Sequence, residues 1–158
     1  MEFSPHQVAL LDRARDLAAR EGGLAVVVTL RPDGTAHASV VNAGIVEHPV
    51  TRRRAVGFVV QGRARAKLAN LRARPVTTVV FRSGWDWVTI DGDVDLVGPD
   101  DRLEGVRPES VANVFHEIYA AGIGSAADEW ATRDDVIERE RHTAVLVRPI
   151  RVYSNPTA

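Results

Sequence analysis

The chain contains no cysteine, one methionine and one lysine in 158 residues. Without cysteine, a disulfide framework, a thiolate nucleophile and a thiolate-ligated metal are excluded. No apolar run approaches the roughly 20 residues needed to span a membrane. Residues 1–6 lack a basic stretch leading into an apolar core, so no secretory signal is expected. A cytoplasmic protein without a membrane partner is the expectation. Aromatic residues make up only 6% of the chain, with no aromatic-rich RNA-binding signature, and the net charge is −1. A nucleic-acid-binding domain usually carries a clearly basic balance, so nucleic acid is not expected as a partner. The length suits one domain that buries a core unaided, expected over residues 1–158.

The charge that is present is unevenly placed. Between positions 49 and 85 lie nine basic residues and no acidic one, whereas acids dominate positions 86–109. The only lysine, Lys67, falls inside Gly62-Arg63-Ala64-Arg65-Ala66-Lys67-Leu68-Ala69-Asn70-Leu71, after an apolar run. The spacing predicts a helix over 63–71, with Arg63, Lys67 and Asn70 at i, i+4 and i+7 on one face. A helix start favours anions through its unpaired N–H groups and dipole. This segment is either a phosphate site or a solvated basic helix face.

Ser4-Pro5-His6-Gln7 reads as a capped helix start, and Gly22-Gly23 as its end. Strands are predicted at 24–30, 35–46, 55–60, 76–81, 85–97 and 143–153. Pro32-Asp33-Gly34 makes the first hairpin turn, and Pro149 marks an edge or bulge in the last strand. Helices are predicted at 108–121 and 128–141, forming an insertion before that strand. In the fifth strand Val88, Ile90, Val94 and Leu96 share one face, and Trp87, Thr89, Asp91, Asp93 and Asp95 the other. Hairpin-scale connections exclude a doubly wound parallel sheet and favour a small antiparallel barrel with helices over its openings.

Several motifs fail on inspection. Gly122-Ile123-Gly124-Ser125-Ala126-Ala127 imitates a dinucleotide fingerprint but follows a helix rather than a strand. Asp91-Gly92-Asp93-Val94-Asp95 opens like a calcium loop, yet Leu96 and Arg102 stand where glycine and glutamate are needed. His116-Glu117 lacks the second zinc-binding histidine, because position 120 is alanine. His37 lies mid-strand, where it either meets a ligand or is satisfied by neighbours. Trp85 and Trp87 would point to the same side as a core or dimer contact, or as a flat wall for a conjugated ring. No catalytic acid, base or metal ligand is identified.

Two stretches carry a resemblance: residues 30–42, Leu-Arg-Pro-Asp-Gly-Thr-Ala-His-Ala-Ser-Val-Val-Asn, and residues 62–75, containing Arg-x-x-x-Lys-x-x-Asn-Leu. Both resemble the split β-barrel flavin and deazaflavin oxidoreductases, the pyridoxamine 5′-phosphate oxidase-like superfamily. The nearer likeness is to its actinobacterial subgroup using the deazaflavin coenzyme F-420. The ending over 145–153 is similar too. The resemblance implies a six-stranded split barrel that forms a homodimer with cofactor sites at the interface. It implies that Arg63 and Lys67 hold the cofactor phosphate, supported by Asn70. The ring would rest against Ser39, Val40, Val41 and Asn42, with Val60, Gln61 and Gly62 lining the same cleft and Trp87 reaching in across the dimer. Many relatives have Pro-Val-Trp where this chain has Val40-Val41-Asn42, so an amide replaces an indole there. The implied activity is hydride transfer from reduced F-420 to a small-molecule electron acceptor such as an enone, quinone or tetrapyrrole. FMN chemistry on the same fold, or non-catalytic binding of a cofactor or haem, are the alternatives.

Overall fold

The computed structural model describes residues 2–124 and 134–156. Helix α1 (Pro5–Arg20) starts as its sequence demands. The Ser4 hydroxyl accepts from the Gln7 N–H and the Gln7 side chain accepts from the Ser4 N–H, closing a capping box ahead of Pro5. Strands β1 (Leu24–Leu30) and β2 (Ala36–Glu47) follow, then β3 (Arg54–Val60), helix α2 (Arg65–Ala73), β4 (Val76–Ser83) and β5 (Asp86–Val97). A 3-10 turn (Pro108–Ser110) leads into α3 (Val111–Ile123); α4 (Asp134–Arg139) and β6 (Thr143–Ser154) complete the chain. Positions 128–133 of the predicted second insertion helix, and Ser125, Ala126 and Ala127 of the fingerprint-like motif, lie outside the described residues.

The six strands close into an antiparallel barrel in the order β1-β2-β3-β6-β5-β4. The barrel interior is one apolar cluster built from alternate residues of every strand, including Val27, Phe58, Phe81, Ile90 and Val147. Helix α1 caps one end with Leu10, Leu11, Ala14, Leu17 and Ala18, and Arg13 bonds Asp86 and Ser154 there. Helix α2 crosses the other end and contributes Leu68 and Leu71. Helix α3 departs from the expectation that helices cover only the openings. It lies against the outside of β2 and β3, where Val114, Phe115, Ile118 and Tyr119 build a second core. That fit needs two glycines: a Cβ on Gly44 would come 2.6 Å from Ala121, and one on Gly57 would come 2.7 Å from Ile118.

Two predictions are corrected. The α2 helix begins at Arg65, not Arg63, with Ala64 as a non-helical N-cap at φ −79°, ψ 58°. Gly62 is held against the α4–β6 junction, where a Cβ would meet the Glu140 carbonyl oxygen at 2.5 Å, so the chain turns before the helix starts. Arg63 therefore precedes the helix and does not share a helical face with Lys67. Trp85 is also not in a strand. Ser83 pairs with Asp86, leaving Gly84 and Trp85 as a two-residue hairpin turn, and the Trp85 ring is 95% exposed. The indole of Trp87 instead lies on the outer face of β5, edge-to-face with Tyr153 at 6.1 Å. The expected irregularity at Pro149 is present as a register shift, with Gly92 opposite Pro149. On the carboxylate-bearing face of β5, Asp91 accepts from Thr78 and lies 3.9 Å from the Arg151 guanidinium, and Asp95 pairs with His48 and Arg148.

Candidate functional site

Strand β2 changes partners halfway along. Residues 36–42 pair only with β1, whereas residues 43–47 pair with β3. Across the gap, Val59 and Val60 of β3 pair with β6 but not with β2. Both strands therefore present an unpaired edge at the same end of the barrel, where main-chain N–H and C=O groups have no ladder partner. Beyond Val60 the chain passes through Gln61, Gly62 and Arg63 into α2. The gap is thus framed by the two segments that the sequence singled out.

The candidate residues take distinct positions around it. Val41 and Val60 face the barrel interior and are buried, while Val40 faces outward at 62% exposure. Ser39 is half-buried on the inner face, and its hydroxyl has no hydrogen-bond partner; the same is true of Nδ1 of His37. Asn42 is outward, with its side-chain N–H donating to the Gly22 carbonyl at 2.8 Å. Asn70 is buried and fully engaged: it donates to the Thr29 hydroxyl at 3.1 Å and accepts from Arg74 at 3.3 Å, pinning α2 to β1. Trp87 stands apart, because β5 lies across the barrel from β2. One chain does not bring it to the gap.

Lys67 is the most unusual of these. Its side chain is only 9% exposed, yet no hydrogen bond or carboxylate partners it among the described residues. Burial lowers its pKa from the ordinary lysine value. A desolvated ammonium without a counter-charge is unfavourable, and a bound anion would relieve it. Arg63 and Arg65 are exposed and also lack carboxylate partners among the described residues. With Gly62, Arg139, Glu140 and Arg141 they line a basic pocket of about 440 Å³ at the β3–α2 and α4–β6 junctions. Arg141 is already paired with Asp100 and Arg139 with Asp135, so the unneutralised charge is that of Arg63 and Arg65.

Next to this pocket lies a smaller cavity of about 130 Å³, walled by Val59, Ile118 and Ile123, with Asn42, Gln61, Tyr119 and His142 as its polar lining. It unites two sequence candidates with two residues that sequence reasoning missed. His142 comes near Gln61 because β3 and β6 are paired, with Val60 opposite Thr143. Only that strand pairing, and no local motif, could have signalled it. Among the described residues no group of three or more His, Cys, Asp or Glu is placed to hold a metal.

A closed six-stranded antiparallel barrel with a gap between β2 and β3 is a split β-barrel. Solved structures of the same fold bear this out. A pyridoxamine 5′-phosphate oxidase-related, FMN-binding protein from Nostoc punctiforme superposes with a TM-score of 0.63 at 17% identity, covering 96% of this chain and 84% of that one. An F420 reductase superposes at 0.55 with 16% identity, covering 84% and 90%. A haem-binding protein from Mycobacterium smegmatis superposes at 0.58 with 20% identity, covering 98% of this chain and 55% of that chain. No family model and no curated protein matches the sequence. At these identities the likeness defines the fold, on which different cofactors are carried.

Proposed function

We propose that this protein is an oxidoreductase that binds coenzyme F-420 and passes a hydride from its reduced form to a conjugated small-molecule acceptor. The observation that carries the reading is Lys67, a buried cation with no hydrogen bond or carboxylate partner among the described residues, on the helix that follows the open end of β3. Lys67 and Arg63 would hold the phosphate, with Asn70 fixing the helix that presents Lys67. Ser39, Val40, Val41 and Asn42 would support the ring along the unpaired edge of β2, and Val60, Gln61 and Gly62 would line the facing side. When bound, the reduced deazaflavin supplies the hydride; the chain's part is to orient it and to exclude water. Alignment of this kind is worth roughly 7–11 kcal/mol of barrier, which suits a site with little acid–base machinery.

The breadth of the basic pocket favours F-420 over FMN. A tail carrying a phosphodiester and carboxylates can use Arg63 and Arg65 as well as Lys67, whereas a single phosphate leaves part of that charge unmet. Trp87 would reach the ring only from a second copy, so the reading includes a homodimer.

The test is a parallel titration of purified protein with F-420, FMN and haem, followed by an acceptor screen on whatever binds. F-420 is expected to bind and FMN not to. Arg63→Ala with Lys67→Ala should weaken F-420 binding while leaving the circular dichroism spectrum intact. Charge-assisted bonds contribute about 1.5–3 kcal/mol each, or roughly 10- to 150-fold in affinity. Unchanged affinity in the double variant would remove the assignment, and a tightly held yellow chromophore would point to FMN instead.

A further inference from the structure

We propose that Lys67 is a carbamylation site: its ε-amine adds carbon dioxide, and the resulting carbamate takes the place assigned to the coenzyme phosphate. The modification stands on the geometry of α2; its consequence for the coenzyme deepens the deazaflavin reading and rests on it. Lys67 is the third residue of α2, whose N-cap, Ala64, offers no side-chain hydrogen bond. The N–H groups of Ala66 and Lys67 have no hydrogen-bond partner among the described residues. Helical side chains lean back over the preceding turn, so the Lys67 stem leans toward this uncapped start.

The ammonium form is poorly placed there. It is buried and unpartnered among the described residues, the first turn of α2 holds no acidic residue, and the helix dipole adds positive charge at this end. Burial lowers the Lys67 pKa and so enlarges the share of neutral amine, which is the nucleophile. A carbamate is charged too, so desolvation disfavours ammonium and carbamate alike. The sign of the surroundings decides between them. Two free N–H groups, the positive end of a helix, and the exposed, unpaired guanidiniums of Arg63 and Arg65 all favour the anion. Access suits the reagent as well. Unlike Nδ1 of His37 and of His142, Nζ of Lys67 is not among the sealed polar atoms that lack a partner, so it reaches open space. With the residue only 9% exposed, that opening is narrow. Carbon dioxide is small and uncharged, and it sheds no tightly held hydration shell on entry.

In the reaction the amine lone pair attacks the carbon of carbon dioxide. A C–N bond forms as one C=O π bond opens onto oxygen, and the nitrogen gives a proton to water. Lys–NH₂ and CO₂ become Lys–NH–COO⁻ and H⁺, with nothing oxidised or reduced. The new carboxylate engages the N–H groups and guanidiniums that the coenzyme phosphate would use, and it repels that phosphate. Carbamylated protein is therefore closed to the coenzyme, and loss of carbon dioxide reopens it.

The probe is ¹³C-labelled bicarbonate, equilibrated with coenzyme-free protein and read by ¹³C NMR. Lys67 is the only lysine, so the α-amino group is the one other amine that can respond. Wild type is expected to show a carbamate resonance that Lys67→Met lacks, any α-amino carbamate being common to both. Arg63→Ala with Arg65→Ala, at an unchanged circular dichroism spectrum, should weaken carbamate formation at Lys67 about tenfold or more. In bicarbonate the F-420 Kd of wild type should rise with the modified fraction, about twofold when half the chains are carbamylated. Identical spectra for wild type and Lys67→Met, or a Lys67 resonance undiminished by the arginine substitutions, overturn the proposal. So does an F-420 Kd that stays put at half carbamylation. Because the spectra are recorded without coenzyme, a Lys67 carbamate on protein that binds no F-420 supports the modification and sinks the coenzyme reading alone.

Discussion

Lys67 illustrates how one side chain can work against stability and for binding. Its folded-state pKa is lowered by desolvation, so the folded protein holds its proton less tightly than the unfolded chain. The resulting penalty is fully present below the folded pKa and is lost as pH rises from there to the ordinary value of 10.5. Lys67→Met keeps the stem and removes the charge. That variant is expected to melt at a higher temperature than wild type at pH 7, with the difference shrinking towards pH 10.5. Its F-420 affinity should fall by roughly 10-fold or more. Equal melting temperatures at pH 7, by differential scanning calorimetry, would mean that the ammonium is not desolvated. His48 works the other way. It is fully buried, accepts at Nδ1 from the N–H groups of Val50 and Thr51 at 3.2 Å, and donates from Nε2 to Asp95 at 2.9 Å. These bonds tie the β2–β3 hairpin to β5. His48→Ala would orphan two N–H groups and leave Asp95 bound to Arg148 but not to the hairpin, and chemical denaturation should register a loss of about 2–4 kcal/mol. His48→Asn should recover part of it, because its Oδ1 can replace Nδ1 as the acceptor.

Elements set by local chemistry were legible; those set by distant contacts were not. Ser4, Pro5 and Gln7 specify the start of α1 within one turn of chain. Pro32-Asp33-Gly34 specifies the β1–β2 hairpin just as locally: Gly34 adopts φ 84°, and Asp33 accepts from both the N–H and hydroxyl of Thr35. Arg63 was misplaced because the turn before α2 answers to the α4–β6 junction, which presses on Gly62 from nearly 80 residues away. His142 was missed for the same reason: its place in the site follows from β3–β6 pairing. The placement of α3 on the outside of the barrel was unreadable too, since its apolar stripe says that a face is buried but not against what. Gly44 records that contact. Gly44→Val would drive methyl groups into Ala121, and overpacking of this kind costs about 1–3 kcal/mol. The variant should lose that much in urea denaturation. Full stability in the variant would show that α3 is not held at that distance.

At the scale of the molecule the barrel has one wall that water does not suit. A row of outward residues crosses five strands in register: Val40, Val26, Val80, Thr89 and Tyr153. Val40 is 62% exposed, with Leu24 and Val76 on the same outer face. Apolar surface gathered on one sheet face is characteristic of an interface rather than of a solvated wall. A second copy related by a twofold axis covers such a face with itself, needing no separate partner. On the proposed reading a second copy would also account for Trp87, which its own chain leaves across the barrel from the gap: the partner's Trp87 would complete the ring site at β2. Assembly and coenzyme binding are therefore expected to fail together. Val26→Lys with Val40→Lys sets like charges on both copies and should convert the protein from dimer to monomer at micromolar concentration, read by light scattering after size exclusion. The barrel itself should survive, since both side chains lie outside the core. F-420 affinity of the resulting monomer should drop at least about tenfold, the loss of one aromatic contact of 0.5–1.5 kcal/mol together with the water shielding around it. A monomer that binds F-420 as tightly as wild type would separate the two properties and place the whole site within one chain.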